Sequence, residues 1–293
     1  MLKPIIGVLL VLVLLAAPTK VMAQSGGENT MSQAIESGYA AVEGTELYYE
    51  IHGQGEPLVM LHGGVDPSQV FGAPLTEMAK TFKVIAIHAR GHGLSRDSDA
   101  PWSIERAADD VAAVLRDRGI EKASVMGYSF GGKIALQFAI RHPDMLDKLV
   151  IVSTGYSRGG EYPEVRAAFE QMPAMADVIG NSIAQSPLAE LYPDVDWPVL
   201  MRKSGALGLQ DHDWSEGIKG IKAQTLLVFA DADYVRPEHI AEFYKLLGGG
   251  QRDAGIDGSL RSPNQLAVVP GTNHYNIIGA PAVFQFATEF LRD

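Results

Sequence analysis

The sequence predicts an α/β fold: a mostly parallel central sheet of about eight strands, flanked by helices, with a small helical cap inserted after the sixth strand. Three observations support this prediction. Short apolar runs alternate with amphipathic stretches, one run passes through the glycine-rich turn of "VMGYSFGGKIAL" (Val125–Leu136) into a helix pattern, and residues 155–220 contain no clear strand. Strands that alternate with helices form mainly parallel sheets covered on both faces. We therefore expect functional side chains at the carboxyl ends of the strands.

The amino-terminal segment has the pattern of a cleaved secretory signal. Lys3 precedes an apolar run of 13 residues from Ile5 to Ala17, and "VMA" before Gln24 is a small-residue cleavage pattern. A membrane-spanning helix needs about 20 apolar residues, so this run is short for an anchor. We expect residues 1–23 to be removed on export to the periplasm or the medium. A polar leader is predicted over 24–37, and one folded domain over 38–293.

Composition limits the partners of the exported chain. The full chain has a net charge of −11, and removal of Lys3 and Lys20 leaves 22 basic against 35 acidic residues, or −13. An acidic protein is a poor ligand for nucleic acids and anionic membranes. The absence of cysteine excludes disulfides and thiolate catalysis. His88 and His92 are closely spaced, but nothing nearby completes a metal site, so neither a metal nor a cofactor is predicted.

The first half of the domain reads as a hairpin followed by strand and helix patterns. Residues 40–51 form two short runs around a turn at Gly44–Thr45, and five-residue apolar runs suited to buried strands follow at 57–61 and 83–87. Residues 103–119 begin with a serine that can cap a helix and end with a glycine that can stop it.

The second half continues the alternation but contains two interruptions. Strand patterns occur at 122–128, 148–153, 224–230 and 265–269, and helix patterns at 130–141, 237–247 and 281–291. The first interruption, approximately 155–220, is rich in methionine, proline and aromatic residues, which predicts a helical cap. The second, 248–263, is glycine-rich and polar and is predicted to be an irregular surface loop.

The glycine-rich turn fits two chemistries. As G-x-S-x-G, with Ser129 between Gly127 and Gly131, it is a nucleophile elbow. As G-x-x-x-x-G-K ending at Lys133, it approaches a phosphate-binding loop. That loop needs a serine or threonine after the lysine to bind magnesium, and Ile134 stands there instead. The serine interpretation is therefore favoured, and Lys133 is read as an ordinary helix residue.

Partners for a nucleophilic serine follow in the order that a strand–turn–helix elbow requires. A serine needs a general base, and the base needs a carboxylate that orients it. Asp231 and Asp233 come directly after one apolar strand, and His274 follows the next. All would lie beyond the carboxyl ends of neighbouring strands, so the sequence predicts a Ser–His–acid triad. The residues alone leave open which aspartate is the acid.

Several motifs together resemble the α/β-hydrolase superfamily, specifically its cap-bearing serine hydrolase branch, over nearly all of 38–293. They are "LHGG" (61–64), "HARGHGLS" (88–95), "GYSFGG" (127–132), "FADADYVRP" (229–237) and "PGTNHYN" (270–276). His88 and Ala89 depart from the usual start of the second motif, and Ala230 stands in a glycine place of the fourth. The resemblance favours Asp233 over Asp231 as the triad acid.

The resemblance implies a catalytic triad of Ser129, Asp233 and His274. It implies an oxyanion hole formed by the backbone N–H of Phe130 and that of Gly64 or Val65. Gly127 and Gly131 would be required because a side chain at either place would collide within the tight turn. Four aromatic or sulfur-containing side chains of the cap are candidate pocket walls, although each could simply pack the cap onto the sheet: Tyr156, Met172, Trp197 and Trp214.

The predicted function is cleavage of small or medium carboxylic esters or lactones through an acyl-enzyme intermediate, with no cofactor. Because the nucleophile is a serine, the aspartate-dependent dehalogenases and epoxide hydrolases of this fold are disfavoured. Cofactor-free perhydrolase or haloperoxidase chemistry and C–C bond hydrolysis stay open on the same triad. A further alternative is a ligand-binding protein of this fold without turnover. The expected partner is a small-molecule substrate, and the residues do not predict an oligomeric state.

Overall fold

The computed structural model describes residues 34–65 and 68–293, so the predicted signal peptide at 1–23 lies outside the described residues. Its single sheet contains eight strands in the order β1-β2-β4-β3-β5-β6-β7-β8. The strands are β1 (Glu36–Val42), β2 (Thr45–His52), β3 (Pro57–Leu61), β4 (Lys83–Ile87), β5 (Ala123–Tyr128), β6 (Leu146–Val152), β7 (Gln224–Ala232) and β8 (Gln265–Asn273). β2 pairs antiparallel with β1 and β4, and the other neighbours are parallel. The predicted fold class is confirmed.

Helices cover both faces of the sheet. They are α1 (Gly72–Met78), α2 (Ile104–Asp117), α3 (Phe130–Arg141), α4 (Pro163–Ile183), α5 (Pro187–Leu191), α6 (Trp197–Gly208), α7 (Ser215–Lys219), α8 (Pro237–Leu246) and α9 (Pro281–Arg292). One apolar core joins the sheet to α2, α3 and α8, and a second core on the opposite face joins it to α1 and α9. Side chains of β3 alternate between the two: Val59 and Leu61 face the first core, while Leu58 and Met60 face the second.

Most predicted elements form at or near their predicted bounds. β3, β4 and α3 begin and end at the predicted residues, and the Ser103 hydroxyl caps α2 by accepting the Arg106 N–H at 3.2 Å. β1 begins at Glu36, so the strand includes the last two residues of the predicted leader. α1 was not predicted, because Gly72 and a proline obscure its pattern. Burial of its apolar side chains in the second core holds this helix.

Residues between β6 and β7 form α4–α7, and α4 and α6 have a core of their own. Trp197 lies in this cap core, together with Trp102 of the body. The Lys203 ammonium donates to the Asp97 carboxylate at 2.6 Å, which adds a polar tie between α6 and the body. No helix among residues 34–65 and 68–293 is both long enough and apolar enough to cross a membrane.

The predicted loop at 248–263 contains only turns and bends. It runs between the end of α8 and the start of β8, which places it at the amino ends of the parallel strands. The side-chain oxygen of Asn264, just after this loop, accepts the Thr225 N–H at 2.8 Å at the start of β7. The loop therefore lies at the opposite end of the sheet from Ser129.

Candidate active site

Ser129 occupies the tight turn between β5 and α3. Its backbone has φ 53° and ψ −113°, a left-handed conformation that costs about 1–3 kcal/mol for a residue other than glycine. The surrounding chain holds it there. The Ser129 N–H donates to the Val152 carbonyl at 3.0 Å, and the Ser129 carbonyl accepts the Thr154 hydroxyl at 2.8 Å. This strained turn presents the Ser129 hydroxyl at the carboxyl edge of the sheet.

The elbow glycines are required because backbone approaches closely. A Cβ atom at Gly127 would lie 2.1 Å from the Gly131 carbonyl oxygen, and one at Gly131 would lie 2.3 Å from the Leu61 carbonyl oxygen. Gly132 is restricted as well, since its Cβ would lie 2.1 Å from the Thr154 hydroxyl. The steric reason given above for Gly127 and Gly131 agrees with these distances, whereas the restriction at Gly132 was not predicted.

Gly131→Ala is expected to lower the free energy of unfolding by about 3 kcal/mol, because its Cβ would collide with the backbone of Leu61 and His62, which would have to move. Urea denaturation measures this change. Gly279→Ala is the matched control: its Cβ would meet nothing within 4 Å, so we expect a change within about 0.5 kcal/mol. A loss below 1 kcal/mol for Gly131→Ala would contradict the close packing described here.

His274 faces the serine from the loop after β8. The Ser129 hydroxyl lies 3.0 Å from His274 Nε2, within hydrogen-bond range. His274 Nδ1 lies 3.6 Å from Asp233 Oδ1, an ion-pair distance somewhat longer than a hydrogen bond. The Tyr128 hydroxyl donates to the His274 carbonyl at 2.6 Å, and the Tyr234 ring packs edge-on against the imidazole at 4.3 Å. These contacts orient the ring between the serine and the carboxylate.

Asp233 is held as a buried carboxylate. Its side chain is 1% exposed and accepts the Ala230 N–H at 3.1 Å, the Tyr234 N–H at 2.8 Å and the Ser153 hydroxyl. Burial raises the pKa of Asp233, but the His274 ring and the Ser153 hydroxyl outweigh it, so the pKa is lowered overall. Asp233 is therefore ionised at neutral pH. Ser153, which follows β6, was missed because no local motif marks it.

Asp231 lies at the end of β7, with its carboxylate against the end of β8. It is exposed, and its carboxylate accepts the Gly271 N–H at 3.0 Å and the Thr272 N–H at 3.1 Å. Hydrogen bonds from these amides lower the pKa of Asp231. Asp231 thus stabilises the end of β8 and, unlike Asp233, does not face the imidazole.

The predicted oxyanion donors lie beside the elbow. Phe130 is the first residue of α3, so its N–H has no carbonyl one turn earlier within the helix to bond. The loop after β3 runs alongside: a Cβ at Gly64 would lie 3.9 Å from the Phe130 Cβ atom. Val65 has φ 73°, an unusual value for a β-branched residue. Both predicted segments therefore reach the elbow, where amide dipoles can stabilise negative charge.

His62 fixes the loop that carries Gly64. Its Nδ1 lies 2.6 Å from the Gly63 carbonyl, and its Nε2 accepts the Ala89 N–H at 3.0 Å. The segment that follows Ala89 is anchored in turn, because the buried Arg90 guanidinium donates to Asp110 on α2 at 2.9 Å. His62 thus connects the loop after β3 to the 88–95 turn.

His88 and His92 also act within the 88–95 turn. His88 Nδ1 accepts the Leu94 N–H at 3.0 Å. The His92 ring lies between the Phe130 ring, at 5.4 Å, and the Trp102 ring, at 5.1 Å. Within the described part of the chain, no group of three or more histidine, aspartate or glutamate side chains is placed to hold a metal ion.

These buried histidines predict acid sensitivity. Burial lowers the pKa of both His88 and His92 from 6.5 to about 4. The unfolded chain therefore binds protons first as the pH falls through 6.5, so stability present above that pH is lost progressively down to pH 4. At about 1.4 kcal/mol per pKa unit, each ring contributes about 3 kcal/mol to this loss.

Urea denaturation between pH 7 and pH 4 measures the effect, and His92→Gln isolates one ring from the contribution of carboxylates. The variant should show a shallower fall in unfolding free energy with decreasing pH. Identical pH slopes for His92→Gln and the wild type would contradict the assignment of a neutral, buried His92.

The four predicted pocket residues lie mainly in packed regions. The Tyr156 ring stacks on His239 at 3.9 Å. Trp197 is buried in the cap core and Met172 packs against it, while Trp214 packs against the core beneath α3. These contacts hold the cap together and join it to the sheet. A role for these side chains as pocket walls stays a prediction.

The fold and the elbow define a protein of the α/β-hydrolase class, and comparison with known proteins supports this. The sequence profile of the family described as alpha/beta hydrolase fold matches residues 56–194. The match covers a little under half of the chain, and the solved structures described next share the architecture of the whole sheet, so the chain has the α/β-hydrolase fold.

Three similar proteins illustrate its relations. "Putative carbamate hydrolase RutD" from Caulobacter vibrioides is 34% identical over 157 residues, which are 52% of this chain and 57% of that protein. The enol-lactonase from Burkholderia xenovorans has a TM-score of 0.67 at 22% identity, with 87% of this chain and 100% of that chain covered. A thermophilic esterase from Thermogutta terrifontis has a TM-score of 0.69 at 22% identity, with coverage of 88% and 98%. The two structures share the fold, and the chain spans little more than half of the relative.

Proposed function

We propose that this protein is a serine hydrolase that cleaves small or medium carboxylic esters or lactones through an acyl-enzyme intermediate. The observation that carries the proposal is the contact of 3.0 Å between the Ser129 hydroxyl and His274 Nε2 on a strained elbow. A serine on such a turn, in reach of an imidazole that faces a buried carboxylate, is arranged for nucleophilic attack.

In the first half of the reaction, Ser129 Oγ attacks the acyl carbon while His274 Nε2 takes the hydroxyl proton. Asp233 stabilises the imidazolium that forms. The N–H groups of Phe130 and of Gly64 or Val65 stabilise the tetrahedral oxyanion, and one such donor contributes about 3–4 kcal/mol. The intermediate then collapses with cleavage of the C–O bond, and His274 returns the proton to the leaving oxygen.

In the second half, water replaces the alcohol. His274 removes a proton from the water as its oxygen attacks the acyl-enzyme carbonyl, and the same donors stabilise the second oxyanion. Collapse releases the carboxylic acid and returns the proton to Ser129. For a lactone, the leaving hydroxyl and the acid stay in one product molecule.

The compact apolar cap supports a small or medium substrate over a polymer. α4 and α6 pack closely, since a Cβ at Gly180 would lie 2.5 Å from the Pro198 Cα atom. An enol-lactonase and an esterase, each 22% identical to this chain, share its fold, so the fold accommodates acyl–oxygen cleavage. Carbamate, C–C and perhydrolase substrates are alternatives to be tested on the same triad.

A chain-length series of p-nitrophenyl esters and a set of simple lactones test the proposal on residues 24–293. We expect turnover of short acyl esters or lactones that falls as the acyl chain lengthens. Preference for long-chain lipids would contradict the substrate class. Labelling by a fluorophosphonate without turnover of any acyl substrate would favour the ligand-binding alternative, and peroxide-dependent halogenation would favour perhydrolase chemistry.

We also propose that the protein is exported with cleavage after Ala23. The proposal rests on the apolar run and the "VMA" pattern of the sequence. Amino-terminal sequencing of the protein recovered from the periplasm or medium should begin at Gln24. Recovery of chains that keep Met1 would contradict it.

A further inference from the structure

A buried ion pair next to the elbow is not accounted for by the triad. Lys133 Nζ lies 3.6 Å from Glu161 Oε1, and the two side chains are 19% and 5% exposed. Lys133 lies one turn after the nucleophile, and its N–H donates to the Ser129 carbonyl at 3.1 Å. Neither residue was predicted to matter. A charged pair withdrawn from water is costly to break, because the remaining partner would be buried without a counter-charge.

Glu161 lies on a segment that is bonded to the loop carrying the triad acid. Two backbone hydrogen bonds join residues 160–162 to residues 234–236: the Tyr162 N–H donates to the Tyr234 carbonyl at 3.2 Å, and the Arg236 N–H donates to the Gly160 carbonyl at 2.9 Å. Together they form the antiparallel bridge between Glu161 and Val235. The two segments therefore form a short ribbon. Movement of Glu161 relative to α3 would displace this ribbon.

The ribbon contacts both the acid and the base of the triad. The Tyr234 N–H donates to Asp233 Oδ1 at 2.8 Å, and the Tyr234 ring packs against the His274 ring at 4.3 Å. The separation of 3.6 Å between His274 Nδ1 and Asp233 Oδ1 is slightly longer than a hydrogen bond, so small shifts of the ribbon decide whether this bond forms.

Lys133 and Glu161 form an ion pair although other charged residues lie nearby. Arg158 and Arg166 also act electrostatically on Glu161, and the Arg158 guanidinium donates to Glu170 at 3.2 Å. Burial lowers the pKa of Lys133 and raises that of Glu161, while the opposite charge of each partner counters these shifts. The pair thus connects the nucleophile helix to the first segment of the cap.

We propose that Lys133 and Glu161 are a positioning pair that ties α3 to the 234–236 loop and thereby sets the geometry between His274 and Asp233. The inference rests on the proposed serine hydrolase function. Neither residue touches a reacting atom. Lys133 belongs to α3 and Glu161 belongs to the ribbon, so the ion pair between them fixes the position of the ribbon relative to α3.

The experiment compares Lys133→Met, the double variant Lys133→Met/Glu161→Gln and Lys133→Arg with the wild type. The rate constant for fluorophosphonate labelling of Ser129, kcat and KM on the best ester, and Tm are measured for each. Lys219→Met is the control, because its ion pair with Glu216 on α7 is exposed, with side-chain exposures of 52% and 84%. The control should match the wild type.

Lys133→Met should lower kcat and the labelling rate by about 10- to 100-fold with KM within about twofold, since misplaced catalytic groups slow chemistry more than binding. Lys133→Arg should stay within about threefold of the wild type. The double variant leaves no unpaired charge, so its Tm should recover while kcat stays low. Because the double variant folds without a buried charge, it gives a result even if Lys133→Met does not fold.

Two outcomes would overturn the inference, and they differ. Recovery of kcat together with Tm in the double variant would show that the pair only compensates buried charge, while the proposed function would stand. Absence of fluorophosphonate labelling at Ser129 in the wild type would instead contradict the proposed function, and the positioning role with it.

Discussion

Ser129→Ala is expected to lower kcat on esters or lactones by about 10⁴-fold or more, with little change in Tm. The loss follows from the proposed role of the hydroxyl as nucleophile, which neither His274 nor the proposed oxyanion donors can replace. Alanine fits the elbow because its Cβ occupies the place of the serine Cβ, and removal of the hydroxyl leaves the strained backbone turn unchanged. Steady-state kinetics on residues 24–293 measure the change.

A matched control removes a serine hydroxyl from a different place. Ser259 lies in the exposed loop between α8 and β8, so the activity of the Ser259→Ala variant should equal that of the wild type. Fluorophosphonate labelling should be lost in Ser129→Ala alone. Activity that survives the Ser129 substitution would remove this residue from the mechanism and require another nucleophile.

Asp233→Asn is the second variant for which we expect a large effect, a fall in kcat of about 10²- to 10⁴-fold. The amide cannot stabilise the imidazolium, and its NH₂ group favours the wrong tautomer of His274. Asparagine also replaces one acceptor oxygen with an NH₂ donor. That NH₂ group would face the N–H of Ala230 or of Tyr234, each of which donates to a carboxylate oxygen of Asp233. kcat measured across the pH range of the wild type tests the effect.

Asp231→Asn supplies the matched control two residues away. It removes the same charge at the end of the same strand, but Asp231 is exposed and accepts the Gly271 and Thr272 amides at the end of β8. We expect kcat within about twofold of the wild type and a Tm lowered slightly. If Asp231→Asn lost as much activity as Asp233→Asn, the assignment of the acid would be wrong.

Features that depend on residues close together in the sequence could be predicted from it. β3, β4 and α3 were predicted with their observed bounds, because apolar runs and the glycine-rich turn mark both ends. α1 was missed, because its start at Gly72 is atypical and only its packing against α9 and the sheet stabilises it. Ser129 and His274 lie in motifs whose local chemistry is distinctive, so both could be nominated without a structure.

Features that depend on contacts between residues far apart in the sequence could not be predicted from it. The residues alone allowed either Asp231 or Asp233 as the acid, and the resemblance favoured Asp233. In the structure the difference is physical, since Ser153 and three backbone amides surround Asp233 while Asp231 bonds the end of β8. Four aromatic or sulfur-containing cap residues could not be sorted into pocket and core by composition, because both environments favour the same side chains.

The sequence by itself determined the α/β alternation, the tight serine turn and the order of the proposed triad residues, because these follow from the hydrophobic periodicity, the steric demands at the glycines and the order of the motifs. Only the tertiary structure decided which carboxylate faces His274 and which groups hold it. It also joined Lys133 to Glu161, residues on α3 and on the segment before the cap, at 3.6 Å. Such pairings depend on how segments far apart in the sequence pack beside one another at the sheet, and no local sequence pattern specifies that packing.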